Sequence, residues 1–253
     1  MNRIEQKLTM LKEKKEKALV TYLTAGLPDM DGTKELMFAM EEAGTDVIEL
    51  GIPFSDPVAD GRVIQGASYR SICLGTGINE VFQMMEEIRS RDLKIPVVFK
   101  LYYNTILHYG IRNFAEKCKE TGVDGLIVPD LPLEEQGQLK NALEEMEAAI
   151  LIQSVSLASV ERIPAVLKHA RGFAVCIPSA ETSACLQKVK EISDIPVMME
   201  YEDCCAGKME SLKAEVDGII MESRFVQYLE EHNYHIDAAK EYCRHLKQTI
   251  SFL

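Results

Sequence analysis

The feature that most constrains this chain is a rhythm. Short apolar runs occupy residues 18–23, 47–50, 97–101, 126–128, 150–152, 174–177, 197–199 and 219–221. From the third onward they begin roughly 20–30 residues apart, the length of one strand, one helix and two loops. Continuous apolar runs, rather than alternating ones, mark parallel strands covered on both faces. The stretches between them carry a helical period. Leu36, Met40 and Ala43 share a face before Gly44, and Ile111, Phe114, Ala115 and Cys118 follow i, i+3, i+4, i+7 up to Gly122. Asn79 is placed to cap a helix carrying Val81, Phe82, Met85 and Ile88. Leu139, Leu143 and Met146 mark another helix, Val160, Ile163, Val166, Leu167 and Ala170 the next, and residues 238–250 the last.

Eight strands alternating with helices in 253 residues predict an α/β fold, a single (β/α)8 TIM barrel. The expected domain is the whole of residues 1–253, with no linker or low-complexity tract dividing it. An extra N-terminal helix around residues 4–11 precedes the first strand, placed to cap the barrel's bottom. The rival is an open doubly wound sheet, which usually carries a Gly-rich turn after its first strand. Here that strand runs into Thr24-Ala25-Gly26-Leu27-Pro28, with no GxGxxG.

Charge and composition narrow the function. The net charge is −12, and the one basic run, residues 12–17, alternates with Glu as a solvated helix end does, which argues against nucleic acid as a partner. No apolar run reaches the roughly 18 residues of a membrane span, and the first residues lack a signal peptide's apolar core. The seven cysteines are odd in number and include no CxxC, so free thiols in a reducing cytoplasm are expected. Adjacent Cys204 and Cys205 read either as a redox or metal site or as two small residues in a loop.

In TIM barrels the C-terminal ends of the strands carry the chemistry. Glu49 ends the second strand and Asp60 follows in the next loop, within ELGIPFSDPVADG. A partly desolvated strand-end carboxylate has a raised pKa, which suits proton exchange near neutral pH. Two carboxylates in different environments divide roles, one moving protons and the other staying ionised. The blander alternatives are an ion-paired Glu49 and a simple turn at Asp60-Gly61.

The wording of this segment, with Ile64-Gln65 after it, resembles the signature of the tryptophan synthase alpha subunit family. Tyr22-Leu23-Thr24-Ala25-Gly26, Tyr102-Tyr103-Asn104 with Gly110 and Phe114, and Gly125 to Pro132 with Glu134-Glu135 match it too, and Arg162 and Gly172-Phe173 more weakly. The resemblance runs in strand order along the chain and is most specific before about residue 135. It implies a lyase that cleaves indole-3-glycerol phosphate to indole and glyceraldehyde 3-phosphate. Glu49 would shuttle the proton, and Asp60 would accept the indole N–H. Tyr22, Lys100, Tyr102, Ile127, Ser183 and Ser223 would bind substrate. Asp56, Pro57, Pro129 and Pro132 would face a beta subunit, which would carry the pyridoxal phosphate. The alpha-type half would need no metal or cofactor of its own.

The chain departs from the family where the substrate's phosphate belongs. Ser179-Ala180-Glu181-Thr182-Ser183-Ala184 stands in place of a Gly-x-Thr-Gly turn, Glu200-Tyr201-Glu202-Asp203 in place of Gly-Phe-Gly-Ile, and Glu222-Ser223 in place of Gly-Ser. Glu202 or Glu222 would repel a phosphate unless Arg224 or Lys208 reaches in. The connection from Ala184 to Pro196 reads as a shortened form of the family's closing loop. Lys100 and Gln153 fall where apolar residues are usual. Lys100 is placed either to pair with Glu49 or Asp60 or to point outward. These departures leave open a different substrate, or a non-catalytic activator of a beta subunit.

Overall fold

The computed structural model describes residues 2–155, 160–179, 181–201 and 215–251. Cys204, Cys205, Glu202, Asp203, Lys208 and Ala180 lie outside them. The described cysteines form no disulfide.

All eight apolar runs become strands: β1 (Ala18–Thr24), β2 (Val47–Gly51), β3 (Val97–Lys100), β4 (Gly125–Ile127), β5 (Ile150–Leu151), β6 (Gln153–Ser154), β7 (Ala174–Cys176), β8 (Val197–Glu200) and β9 (Gly218–Met221). There are nine segments because the fifth run breaks at Ile152. β5 pairs with β4 while β6 pairs with β7, and every strand pairing among the described residues is parallel. Across the break the Ile152 N–H donates to the Leu126 carbonyl at 2.8 Å. One interrupted strand therefore joins both sides, and the sheet order β5-β4-β3-β2-β1-β9-β8-β7-β6 curls into a TIM barrel.

The helices are α1 (Arg3–Lys14), α2 (Met30–Glu42), α3 (Arg62–Cys73), α4 (Ile78–Ser90), α5 (Tyr103–Tyr109), α6 (Ile111–Thr121), α7 (Gly137–Glu145), α8 (Ile163–Leu167), α9 (Thr182–Ile192), α10 (Ser223–Glu231) and α11 (Ile236–Ser251). Three expectations change. The cap of α4 is Gly77, not Asn79: the Glu80 carboxylate returns to the Gly77 N–H, which leaves Asn79 inside the first turn. Residues 160–170 are not one helix but a 3-10 turn, Val160–Arg162, followed by the five-residue α8, with Ala170 beyond its end. The stretch read as a shortened closing loop is largely α9.

Two apolar layers hold the barrel. Leu19, Leu23, Ile48, Leu50, Phe99 and Leu126 face outward into a core shared with the helices. Ala18, Val20, Val47, Val98, Phe173, Val175, Met198 and Ile220 face inward, where Ile4, Leu8 and Leu11 of α1 plug the bottom. Gly125 admits the plug, since a Cβ there would sit 2.9 Å from Ile4 Cδ1. Asn2 caps α1, and Arg3 ties it to Asp124, which also takes Arg89 and the Val97 N–H. Among the described residues no helix is long and apolar enough to cross a membrane.

Candidate active site

Side chains alternate between the two faces of a strand, so residues two apart share a face. Val20, Val47, Val98, Met198 and Ile220 point into the barrel. One pleat higher the same parity brings in Tyr22, Glu49, Lys100, Glu200 and Glu222. Of these, Lys100, Glu200 and Glu222 line a cavity of about 610 Å³, together with Asp60, Ile64, Ile127, Gln153 and Ser223, while Tyr22 and Glu49 lie buried beside Lys100.

Glu49 is the most enclosed of the carboxylates, its side chain only 1% exposed. Neither of its oxygens has a hydrogen-bond partner among the described residues. Burial pushes its pKa well above the usual range. The Glu222 carboxylate adds to that and the Lys100 ammonium opposes it. A buried carboxyl with unused hydrogen-bonding capacity is costly to the fold and is expected where a ligand completes it.

Asp60 is held from the side. Its Oδ2 accepts the Tyr102 hydroxyl at 2.8 Å, and that hydroxyl accepts the Ala59 N–H at 2.9 Å. Tyr102 is fixed by stacking on Phe54, centroid to centroid 5.1 Å. Burial raises the Asp60 carboxyl, while Lys100 and the Tyr102 hydrogen bond pull it back.

Lys100 points into the barrel, not outward. Its Nζ bonds both oxygens of Glu222, at 2.8 and 2.7 Å, and lies 3.7 Å from Glu49 and 3.7 Å from Asp60. Burial alone would lower this ammonium's pKa. Glu222, Glu49, Glu200 and Asp60 together outweigh burial and hold it well above its ordinary value. The Nζ also sits 5.6 Å over the Tyr22 ring. Tyr22 is pinned in turn by Gly51, where a Cβ would fall 1.8 Å from the Tyr22 hydroxyl oxygen.

The structure thus gathers Tyr22, Glu49, Asp60, Lys100, Tyr102, Ile127 and Ser223 at one mouth. It does not bring in Ser183. The side chain of Thr182 turns inward, its Oγ1 accepting the Ser179 N–H at 2.7 Å, and one residue on along the helix Ser183 faces solvent. Glu222, read in the sequence as a threat to a phosphate, is occupied by Lys100. Gln153 lines the cavity, and its amide donates to the Leu151 carbonyl at 3.2 Å. Pro129 and Pro132 lie in the cavity wall, while Asp56 is exposed and Pro57 half-buried in the loop after β2. Arg162 pairs with Glu134 in that cavity wall.

Sequence reasoning missed the inward Glu200 and the buried Ser154 Oγ, which has no hydrogen-bond partner among the described residues. It also missed Glu222 as the partner of Lys100. Strand parity was the available signal: once Val98 is placed inside, Lys100 follows. A larger cleft of about 770 Å³ between α7 and α8, lined by Lys140, Glu144, His169 and Arg171, contains neither carboxylate. Among the described residues no group of three or more His, Cys, Asp or Glu could hold a metal ion.

Comparison with known proteins agrees with this geometry. The family model described as tryptophan synthase alpha chain matches residues 8–251. A tryptophan synthase alpha chain of Lachnospira eligens is 48% identical over 99% of this chain and 100% of its own. One from Alkaliphilus metalliredigens is 39% identical over 91% and 90%. The solved tryptophan synthase subunit alpha of Legionella pneumophila superposes with a TM-score of 0.91 at 30% identity, covering 100% of both chains.

Proposed function

The chain belongs to the tryptophan synthase alpha chain family, a lyase family of tryptophan biosynthesis, and from that premise we propose that its barrel mouth cleaves indole-3-glycerol phosphate to indole and glyceraldehyde 3-phosphate. The single observation that carries the reading is Glu49: a carboxyl 1% exposed, without hydrogen-bond partners among the described residues, beside an Asp60 held from the opposite side. Full-length membership favours this function over a different substrate or a non-catalytic activator.

The raised Glu49 pKa leaves a proton to give near neutral pH. Glu49 protonates the indole ring carbon that bears the side chain. Asp60 accepts the ring N–H and offsets the positive charge that develops on nitrogen. Glu49, now a carboxylate, takes the proton of the adjacent glycerol hydroxyl. The carbon–carbon bond breaks, its electron pair returns to the ring, and the hydroxyl carbon becomes the aldehyde. The proton account closes on Glu49. Ile127 and Ile64 give the ring an apolar wall, and Ser223, in the first turn of α10, is assigned to the phosphate end.

We assign Asp56, Pro57, Pro129 and Pro132 to a rim that receives a beta subunit, and residues 1–253 to one working unit. Pyridoxal phosphate belongs to that partner in this reading. The test is indole release from indole-3-glycerol phosphate by the purified chain, with and without beta subunit. Release that Glu49→Gln abolishes supports the proposal. No release even with excess beta subunit overturns it.

A further inference from the structure

We propose that Lys100, gripped by Glu222, is a positioning residue for the two carboxylates Glu49 and Asp60. The proposal rests on the lyase reading for its consequence in catalysis, but its geometry stands apart from that reading.

Lys100 ends β3 and Glu222 immediately follows β9, while β2 and β1 lie between them in the sheet. The side-chain pair therefore crosses the mouth over the strands that carry Glu49 and Tyr22. An ammonium has three donors, and Lys100 gives hydrogen bonds to both oxygens of Glu222. Its distances to Glu49 and Asp60, 3.7 Å each, are too long for hydrogen bonds but short for an ion pair. Lys100 therefore supplies charge to both carboxylates while its short hydrogen bonds go to Glu222, and the Glu49 oxygens keep no partner among the described residues. Tyr22 closes the box from below, with Gly51 behind it.

This division matters for the two roles. A carboxylate hydrogen-bonded to Lys100 would be stabilised as an anion and would part poorly with its role as acid. Glu222 takes those bonds instead. Glu49 is thereby left without a donor, and Asp60 keeps a nearby cation besides its Tyr102 bond. Among the described residues the charged or titratable groups facing the pair include Glu49 on β2, Asp60 after it, Glu200 ending β8, Tyr22 on β1 and Tyr102 through Asp60.

The two members make opposite predictions. Lys100→Met removes a cation and moves the Asp60 and Glu49 titrations to higher pH. Glu222→Gln removes an anion and frees the ammonium to reach Glu49 or Asp60, so both titrations move to lower pH. Each shift is on the order of one pH unit or more. Lys100→Arg keeps the charge and stays near wild type.

The measurement is carboxyl titration by carbon NMR on the full ligand-free chain labelled at Glu and Asp, with Glu49→Gln and Asp60→Asn assigning the signals. The acidic limb of kcat/KM for indole release is followed in parallel. Opposite shifts in the two variants support the proposal. No shift, or shifts of the same sign, in variants that melt cooperatively overturn it. Should Lys100→Met fail to fold, Glu222→Gln decides alone, and an unmoved or raised Asp60 titration in that variant counts against the pair. A wild type that releases no indole would remove the lyase reading while the NMR titrations still decide this proposal. An active wild type with unmoved titrations would do the reverse.

Discussion

At its lower level the inside of the barrel is filled by Val20, Val47, Val98, Met198 and Ile220. One pleat higher the same strands present Tyr22, Glu49, Lys100, Glu200 and Glu222. The strands and the face are the same, and only the height along the barrel changes. Below, apolar side chains close on the α1 plug, and each well-buried Ile or Leu there contributes about 1.5–3 kcal/mol. Above, charges stand almost as deeply buried, with Glu49 at 1% exposure, and Lys100 sits among Glu49, Asp60 and Glu222. The lower layer makes the barrel stable, and the upper layer spends some of that stability on reactivity.

The sharpest way to break this contrast is to alter one layer and read both outcomes. Glu49→Gln should lower kcat for indole release by about 10²–10⁴-fold, the usual worth of a general acid–base group, with the chain still folded. Ile4→Ala, at the opposite end of the barrel, should cost about 2–5 kcal/mol in urea unfolding and leave kcat unchanged at temperatures where the variant is folded. An Ile4→Ala protein with normal stability and poor kcat would reverse the roles of the two layers.

Gly51→Ala tests whether the upper layer is as tightly packed as the lower. The new methyl meets the Tyr22 hydroxyl, so a loss of about 1–3 kcal/mol is expected by thermal melting, together with reduced activity because Tyr22 must shift. Tyr102→Phe is subtler. The Tyr102 hydrogen bond lowers the Asp60 pKa, so its removal should move the acidic limb of kcat/KM to higher pH. A rate loss of about tenfold should accompany it, as for a hydrogen bond to a charged group.

The smallest effect has the opposite sign. Glu49 titrates near pH 4.3 when unfolded, by the ordinary value for Glu, and higher when folded. Wild-type stability should therefore fall as pH rises from about 4 through the folded midpoint, because the unfolded chain loses its proton first. Glu49→Gln has no such proton to lose. At pH 8 it should melt above wild type by about 1 kcal/mol or more, and below about pH 4 the two should converge. A variant less stable than wild type at pH 8 would mean that Glu49 is not strained by its burial.

Much of this was legible in the residues. Each apolar run became a strand because a parallel strand covered on both faces is built mainly from apolar side chains. Glu49 stood out because it ends such a run. Gly77 was harder, since its cap comes from Glu80 three residues later rather than from its own side chain. The exposure of the Ser183 side chain was not legible, because a helix rotates by about 100° per residue and α9 begins one residue before it.

By itself, then, the sequence determined the barrel, the plug helix and the two carboxylates, all of which follow from local patterning and position along a strand. Only the tertiary structure decided what Lys100 and Glu222 do. They lie 122 residues apart, at the ends of β3 and β9, which β2 and β1 separate in the sheet. An ion pair across a barrel mouth depends on closure and register, which no stretch of either strand encodes alone.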